Sequence, residues 1–135
     1  AGMSTESSDG RQRASSGSPF EATIGFSRGL RDGEVIAISG TAPVWPDGHV
    51  DPDPLGQARR AWEIALAALA QLGGRPSDVI RTRTYLTATE AADAASVAHG
   101  EVFGAVRPAS TMVVVAALLD PRWVIEVELD AIVRG

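Results

Sequence analysis

The stretch Arg107-Pro108-Ala109-Ser110-Thr111-Met112-Val113-Val114-Val115-Ala116 decides the fold of this chain. It reads as the opening and body of a β-strand, because Thr111 and the three valines are β-branched and pack best on a pleated, extended backbone. The apolar run continues to Leu119, where Asp120-Pro121 breaks it. A second strand is expected over Trp123 to Val133. With Met112 to Leu118 so apolar, both faces of this region need cover.

Upstream of this pair, Thr89 to Phe103 is alanine-rich and reads as a helix, with Thr89 as the expected N-cap and Gly104 past its end. Val79 to Thr87 alternates apolar residues with Arg81, Thr82, Arg83 and Thr84, which predicts a strand. Asp53-Pro54 pairs a capping acceptor with proline at the first helical position. Leu55, Ala58, Trp62, Ala65, Leu66, Leu69 and Leu72 then recur at three- and four-residue spacing until Gly73-Gly74, an amphipathic helix of about five turns. Phe20 to Leu30 and Glu34 to Ser39 are expected to form a hairpin closed at Arg31-Asp32-Gly33, and Gly40 to Val50 reads as a loop or short edge strand.

The resulting order, β-β-α-β-α-β-β, is not the strict strand-helix repeat of a doubly wound sheet. It predicts an α+β domain: a mixed sheet with both helices on one face. The sheet's other face then requires cover, most simply from another copy of the chain.

Composition narrows the function classes. From residue 19 to 135 the chain is long enough for one domain and too short for two, given the usual ~100–150 residues per domain. It has no cysteine, so disulfides, thiolate metal sites and cysteine nucleophiles are excluded. Two histidines, His49 and His99, leave little room for a metal cage, and no G-x-G-x-x-G loop appears. No metal and no organic cofactor are expected. Net charge is −5, which gives a phosphate polymer no electrostatic reason to bind. Residues 1–18 are polar and serine-rich and read as a tail, with Ala1-Gly2 before Met3 as a cloning scar. No apolar segment follows that would serve as a signal or membrane anchor, so a cytoplasmic protein is expected.

A set of landmarks in order resembles one family. They are Ser39-Gly40 with Pro43, Gln57 opening the first helix, Asp78-Val79-Ile80, Thr84-Tyr85-Leu86-Thr87, Phe103-Gly104, Pro108-Ala109, Ala116 to Leu118, and Ile125-Glu126-Val127-Glu128. From about Gly25 to Ile132 the chain is similar to the Rid family, also called YjgF/YER057c/UK114 and endoribonuclease L-PSP. The resemblance implies a chorismate-mutase-like fold assembled as a homotrimer with small-molecule clefts between subunits. It also implies cofactor-independent hydrolysis of 2-imino or 2-enamino acids to 2-oxo acids and ammonia.

In such members an arginine after Pro-Ala grips the substrate carboxylate bidentately, and a carboxylate near the chain end places water. Here the carboxylate maps to Glu126, and the arginine maps to Ser110. A tyrosine of the family's pocket maps to Phe26, beside Ser27. Gly40, Ser96 (asparagine in many members) and Met112 complete the implied substrate-binding set. The neutral, short Ser110 removes charge-assisted bonds worth roughly 1.5–3 kcal/mol each. An efficient 2-imino acid deaminase is therefore not expected.

Arg28 and Arg107 are the candidate substitute cations, although solvated surface arginines are the commoner case. Glu126 equally fits a strand carboxylate bonded to backbone amides, with Glu128 on the same side. Ser110 as a nucleophile needs a base, and the alignment places no histidine beside it. His99 reads as a packed helix residue, His49 as a loop residue, and Trp45, Trp62 and Trp123 as core or interface aromatics. Three functions follow: a hydrolase of an imine or enamine lacking the usual carboxylate, a non-catalytic metabolite binder, and an endoribonuclease or translation inhibitor. The acidic charge argues against the third.

Overall fold

The computed structural model describes residues 4–6 and 9–134. Seven strands form one sheet in the order β1-β2-β3-β4-β7-β5-β6. In chain order the strands are β1 (Ser4–Glu6), β2 (Gln12–Ser15), β3 (Gly29–Asp32), β4 (Val35–Thr41), β5 (Val79–Leu86), β6 (Ala109–Val114) and β7 (Ile125–Ile132). The helices are α1 (Pro19–Ile24), α2 (Pro54–Gln71) and α3 (Ala92–Phe103). Only β5 and β6 run parallel. The α+β mixed sheet expected from the sequence is the one found.

The core follows from period-two alternation on the central strand β7. Ile125, Val127, Leu129 and Ala131 are buried, while Glu126, Glu128, Asp130 and Ile132 between them are only partly so. The buried set meets Ile36 and Ile38 of β4, Leu86 of β5, and Ala61, Trp62, Ala65 and Leu69 of α2. α2 starts as its sequence dictates, with the Asp53 carboxylate accepting from the Gly56 N–H at 3.2 Å and Pro54 in the first turn. Gln57 is fully buried because its side chain donates to the carbonyls of Asp51 and Arg122 and accepts from the Val124 N–H, tying α2 to the loop before β7. The β3–β4 hairpin closes as expected through Gly33, whose φ of 61° suits glycine.

Four expectations are corrected. The segment expected as a polar tail supplies strands: Gln12, Arg13 and Ala14 pair with β3, and Ala14 is completely buried. Backbone pairing and one buried methyl order it, which polar composition does not forbid. The expected cloning scar, Ala1-Gly2, lies outside the described residues. Phe20 to Leu30 is not one strand, because Ser18 caps α1, Pro19 opens it and Gly25 ends it at φ 92°. Phe20 and Ile24 stay largely exposed, so their apolar character is not a core signal. Thr89 lies in a 3₁₀ turn and does not cap α3, and β6 stops at Val114 rather than Leu119.

Removing residues 1–16 should therefore lower stability. It strips β2 from β3 and leaves the Ala14 carbonyl's partner, the Arg28 N–H, without its 2.9 Å bond, and each such buried loss costs about 1–3 kcal/mol. Thermal unfolding of the shortened chain should show a midpoint several degrees lower; an unchanged midpoint would restore the tail reading.

Candidate functional site

Sheet register places the candidate residues on two faces. On β4, Ile38 is opposite Leu129 and Thr41 opposite Val127, so Ser39 and Gly40 together face Glu128, a β-bulge. This brings the bare Cα of Gly40 against the neighbouring strand's carboxylate: a Cβ there would lie 2.5 Å from Glu126 Oε2. Glycine is thus the residue that lets Glu126 fold over β4.

Arg28 stands beside this carboxylate. Its guanidinium donates to the Gly40 carbonyl and, at 3.2 Å, to Thr41 Oγ1, and it feels the charges of both Glu21 and Glu126. Burial pushes its pKa down, against the pull of those two carboxylates. Glu21 is 7% exposed and accepts from the Ser16 N–H at 3.0 Å and the Ser16 hydroxyl at 2.6 Å. Burial raises its pKa, but the Ser16 and Ser15 bonds and the Arg28 charge outweigh that and hold it below the ordinary value.

Glu126 behaves oppositely. Burial raises its pKa, Arg28 only partly offsets this, and Glu128 adds to the rise. Glu128 shares the face of Glu126, as alternation predicts, and accepts a bond from the Tyr85 hydroxyl. That bond and burial raise the pKa of Tyr85. Phe26 lies under Arg28 with the guanidinium carbon 5.5 Å from its ring centre. Phe26 and Ser27 line two clefts, of about 230 and 350 Å³, which also share Arg13; Glu126 lines neither.

Ser110 and Met112 fall on the other face. In the parallel pairing Ser110 aligns with Thr82 and Met112 with Thr84, both buried under the helices, whereas Glu126 aligns with Tyr85. Within one protomer, therefore, Ser110 and Glu126 do not meet. Ser96 is exposed on α3, one turn before His99. Arg107 sits at the turn into β6 with φ 55°, and its side chain makes no hydrogen bond or ion pair among the described residues. Of the two candidate substitute cations, Arg28 is the one whose charge acts on Glu126.

Two features escaped the sequence. Glu21 looked like part of a strand, and its burial depends on α1. The absence of a histidine near Ser110 is also overturned: His99 Nε2 lies 2.8 Å from Thr82 Oγ1, which donates to Ser110 Oγ at 2.9 Å. The i, i+3 step from Ser96 and the period-two position of Thr82 were the signals available, but neither fixes the α3–β5 distance.

Residues 17–133 match the family model described as Endoribonuclease L-PSP. A crystal structure of a YjgF/YER057c/UK114 family member from Mycobacterium tuberculosis is 36% identical with a TM-score of 0.84, covering 91% of this chain and 99% of that one. The chain belongs to the YjgF/YER057c/UK114 (Rid) family. This Rid-family chain is also 36% identical, over 92% of its length and 93% of the other's, to an uncharacterized protein of Streptomyces coelicolor. The YjgF gene product of E. coli is 26% identical with a TM-score of 0.75, covering 81% of this chain and 88% of that one. Among the described residues no helix is long and apolar enough to cross a membrane.

The raised pKa of Glu126 has a measurable sign. Because the folded state holds this proton more tightly than the unfolded chain, the stability the group contributes is full below 4.5 and is lost as pH rises through the higher folded value. Denaturant titrations above pH 4.5 should show the unmodified protein losing stability relative to Glu126→Gln as pH rises. The reverse trend would mean that Arg28 outweighs burial.

Proposed function

We propose that this Rid-family chain hydrolyses a small imine or enamine that carries no free carboxylate, in a cleft between subunits of a homotrimer. One observation carries the reading: around Glu126 four carboxylates, Glu21, Glu126, Glu128 and Asp130, share two guanidiniums, Arg28 and Arg83. Arg28 is the cation placed beside both Glu21 and Glu126, and it already donates to Gly40 and Thr41. A substrate carboxylate would enter a site that is net negative, whereas a protonated iminium would be attracted.

In the proposed step water adds to the C=N carbon of the iminium as Glu126 takes one of its protons, the carboxyl gives that proton to the carbinolamine nitrogen, and the C–N bond breaks as the remaining hydroxyl proton passes to the Glu126 carboxylate and C=O forms. The products are a carbonyl compound and ammonia. A carboxyl whose pKa is raised by burial is better matched to this exchange near neutral pH than an exposed one. The separation of Ser110 and Glu126 onto opposite faces supports a cleft that takes one face from each of two subunits. The acidic net charge supports a small molecule rather than nucleic acid as the ligand.

The test uses imines made in situ. An amine oxidase acting on a primary amine supplies an imine without a carboxylate, and an amino-acid oxidase supplies 2-iminobutyrate or 2-iminopropionate. Ammonia release from the first should accelerate, and Glu126→Gln should abolish the gain. Release from the second should stay near background, and Ser110→Arg should raise it tenfold or more by restoring a bidentate clamp. Efficient 2-imino acid turnover by the unmodified protein would overturn the substrate class. No acceleration of either would leave a binder without turnover. For the assembly, sedimentation equilibrium at micromolar concentration should give three times the protomer mass, and a stable monomer would defeat the shared cleft.

A further inference from the structure

On the helix-covered face, three side chains from three elements form a continuous chain of hydrogen-bonding groups that the imine chemistry does not use. Thr82 Oγ1 of β5 lies 2.9 Å from Ser110 Oγ of β6 and 2.8 Å from His99 Nε2 of α3. The far end is fixed, since the His99 ring packs 4.8 Å from Phe103 and 5.7 Å from Trp62, centre to centre. The middle is sealed, since Thr82 is completely buried. The near end is open: Ser110 is exposed, and β6 is the last strand of the sheet.

We propose that Ser110 is a nucleophile for small, neutral acyl compounds, activated through Thr82 by His99. This goes beyond the imine reading: all three groups belong to one protomer, and acyl labelling of Ser110 is read apart from imine turnover even though the shared cleft of that reading contains Ser110. A serine hydroxyl is a weak nucleophile unless a base accepts its proton in the same step. Here the base is one hydroxyl removed, and both gaps are of ordinary hydrogen-bond length. Burial pushes the imidazole pKa below 6.5, so at neutral pH the ring is uncharged and can present a lone pair.

The two imidazole tautomers correspond to the two directions of the chain. With Nε2 protonated, His99 donates to Thr82 and Thr82 to Ser110; with Nε2 bare, Ser110 donates to Thr82 and Thr82 to His99. In the second state Ser110 Oγ attacks the carbonyl carbon, its proton moves to Thr82 Oγ1, and the Thr82 proton moves to Nε2. The imidazolium carries the charge and no hydroxyl is left ionised. The leaving group departs with the C–O electron pair and takes the imidazolium proton back through Thr82, or, as a phenoxide, leaves that proton to solvent. Water then gives a proton to the freed imidazole and cleaves the serine ester to the acid, and that proton returns to Ser110 Oγ. The outer side of β6, which no strand of the described chain pairs, offers backbone N–H donors of the kind a developing oxyanion needs.

Satisfying the buried Thr82 hydroxyl is a smaller role, and His99 alone fulfils it. The experiment separates the two. The chain contains no lysine and no cysteine, so an acyl probe has few competing sites. The full chain is treated with p-nitrophenyl acetate, p-nitrophenolate is followed, and intact mass and peptide mapping locate the acetyl group. One acetyl per chain on Ser110 is expected, absent in Ser110→Ala. Thr82→Val and His99→Phe should slow labelling tenfold or more, and Thr82→Ser, which returns the hydroxyl, should restore it. That rescue would not follow from packing alone. If Thr82→Val fails to fold, His99→Phe, which keeps an aromatic ring against Trp62 and Phe103, decides the matter. Acetylation confined to the terminal amine, Tyr85 or His49, or labelling of Ser110 no faster in the unmodified protein than in His99→Phe, would overturn the proposal.

Discussion

The alternation of β7 is the constraint on which the rest of the molecule hangs. This strand lies between β4 and β5, so whatever its side chains demand is imposed on both neighbours through the ladder. Ile125, Val127, Leu129 and Ala131 require an apolar cover, and α2 supplies it with Ala61, Trp62, Ala65 and Leu69. Burial of this kind stabilises by roughly 25 cal/mol per Å² of apolar surface, and a one-residue slip would send the whole set to the wrong face. The register is therefore strongly specified. Glu126, Glu128 and Asp130 then have no choice but the opposite face.

That face is built from charge rather than hydrocarbon. Tyr85 donates to Glu128, Arg83 reaches Asp130 at 3.2 Å, and Arg28 lies between Glu21 and Glu126. The partly exposed Arg83–Asp130 pair contributes little by itself, about 0–1 kcal/mol. The effect of these charges is better read in the protonation of Glu126, where burial and Glu128 prevail over Arg28. The bulge at Ser39-Gly40 is what permits this, because a side chain at Gly40 would occupy the space the carboxylate takes. Bulges recur beside functional groups because they re-aim a side chain without breaking the sheet.

Ser110 stands on β6, the last strand of the sheet, as a short neutral side chain. The space is not chemically empty, since Thr82 and His99 extend the hydroxyl into a hydrogen-bonded line ending at an uncharged imidazole. One sheet thus presents a carboxylate-rich face and, on its reverse, a neutral hydroxyl-imidazole line, and the two cannot address the same small molecule within one protomer.

Much of the fold was legible in the residues themselves. The Asp53-Pro54 start and Gly73-Gly74 end of α2, the turn at Gly33 and the alternation of β5 and β7 are local, and local periodicity and capping determine them. Family membership was likewise readable from ordered landmarks. Chain neighbours alone could not reveal that Gln12 to Ser15 is a strand, since its ordering comes from pairing with β3 and from the burial of Ala14. Nor could they reveal that Arg28 rather than Arg107 places its charge near Glu126, that Glu21 is buried, or that His99 ends the line from Ser110. Each of these depends on the distance between elements far apart in sequence, and such distances are set by the packing of helices on the sheet and by the register of the strands.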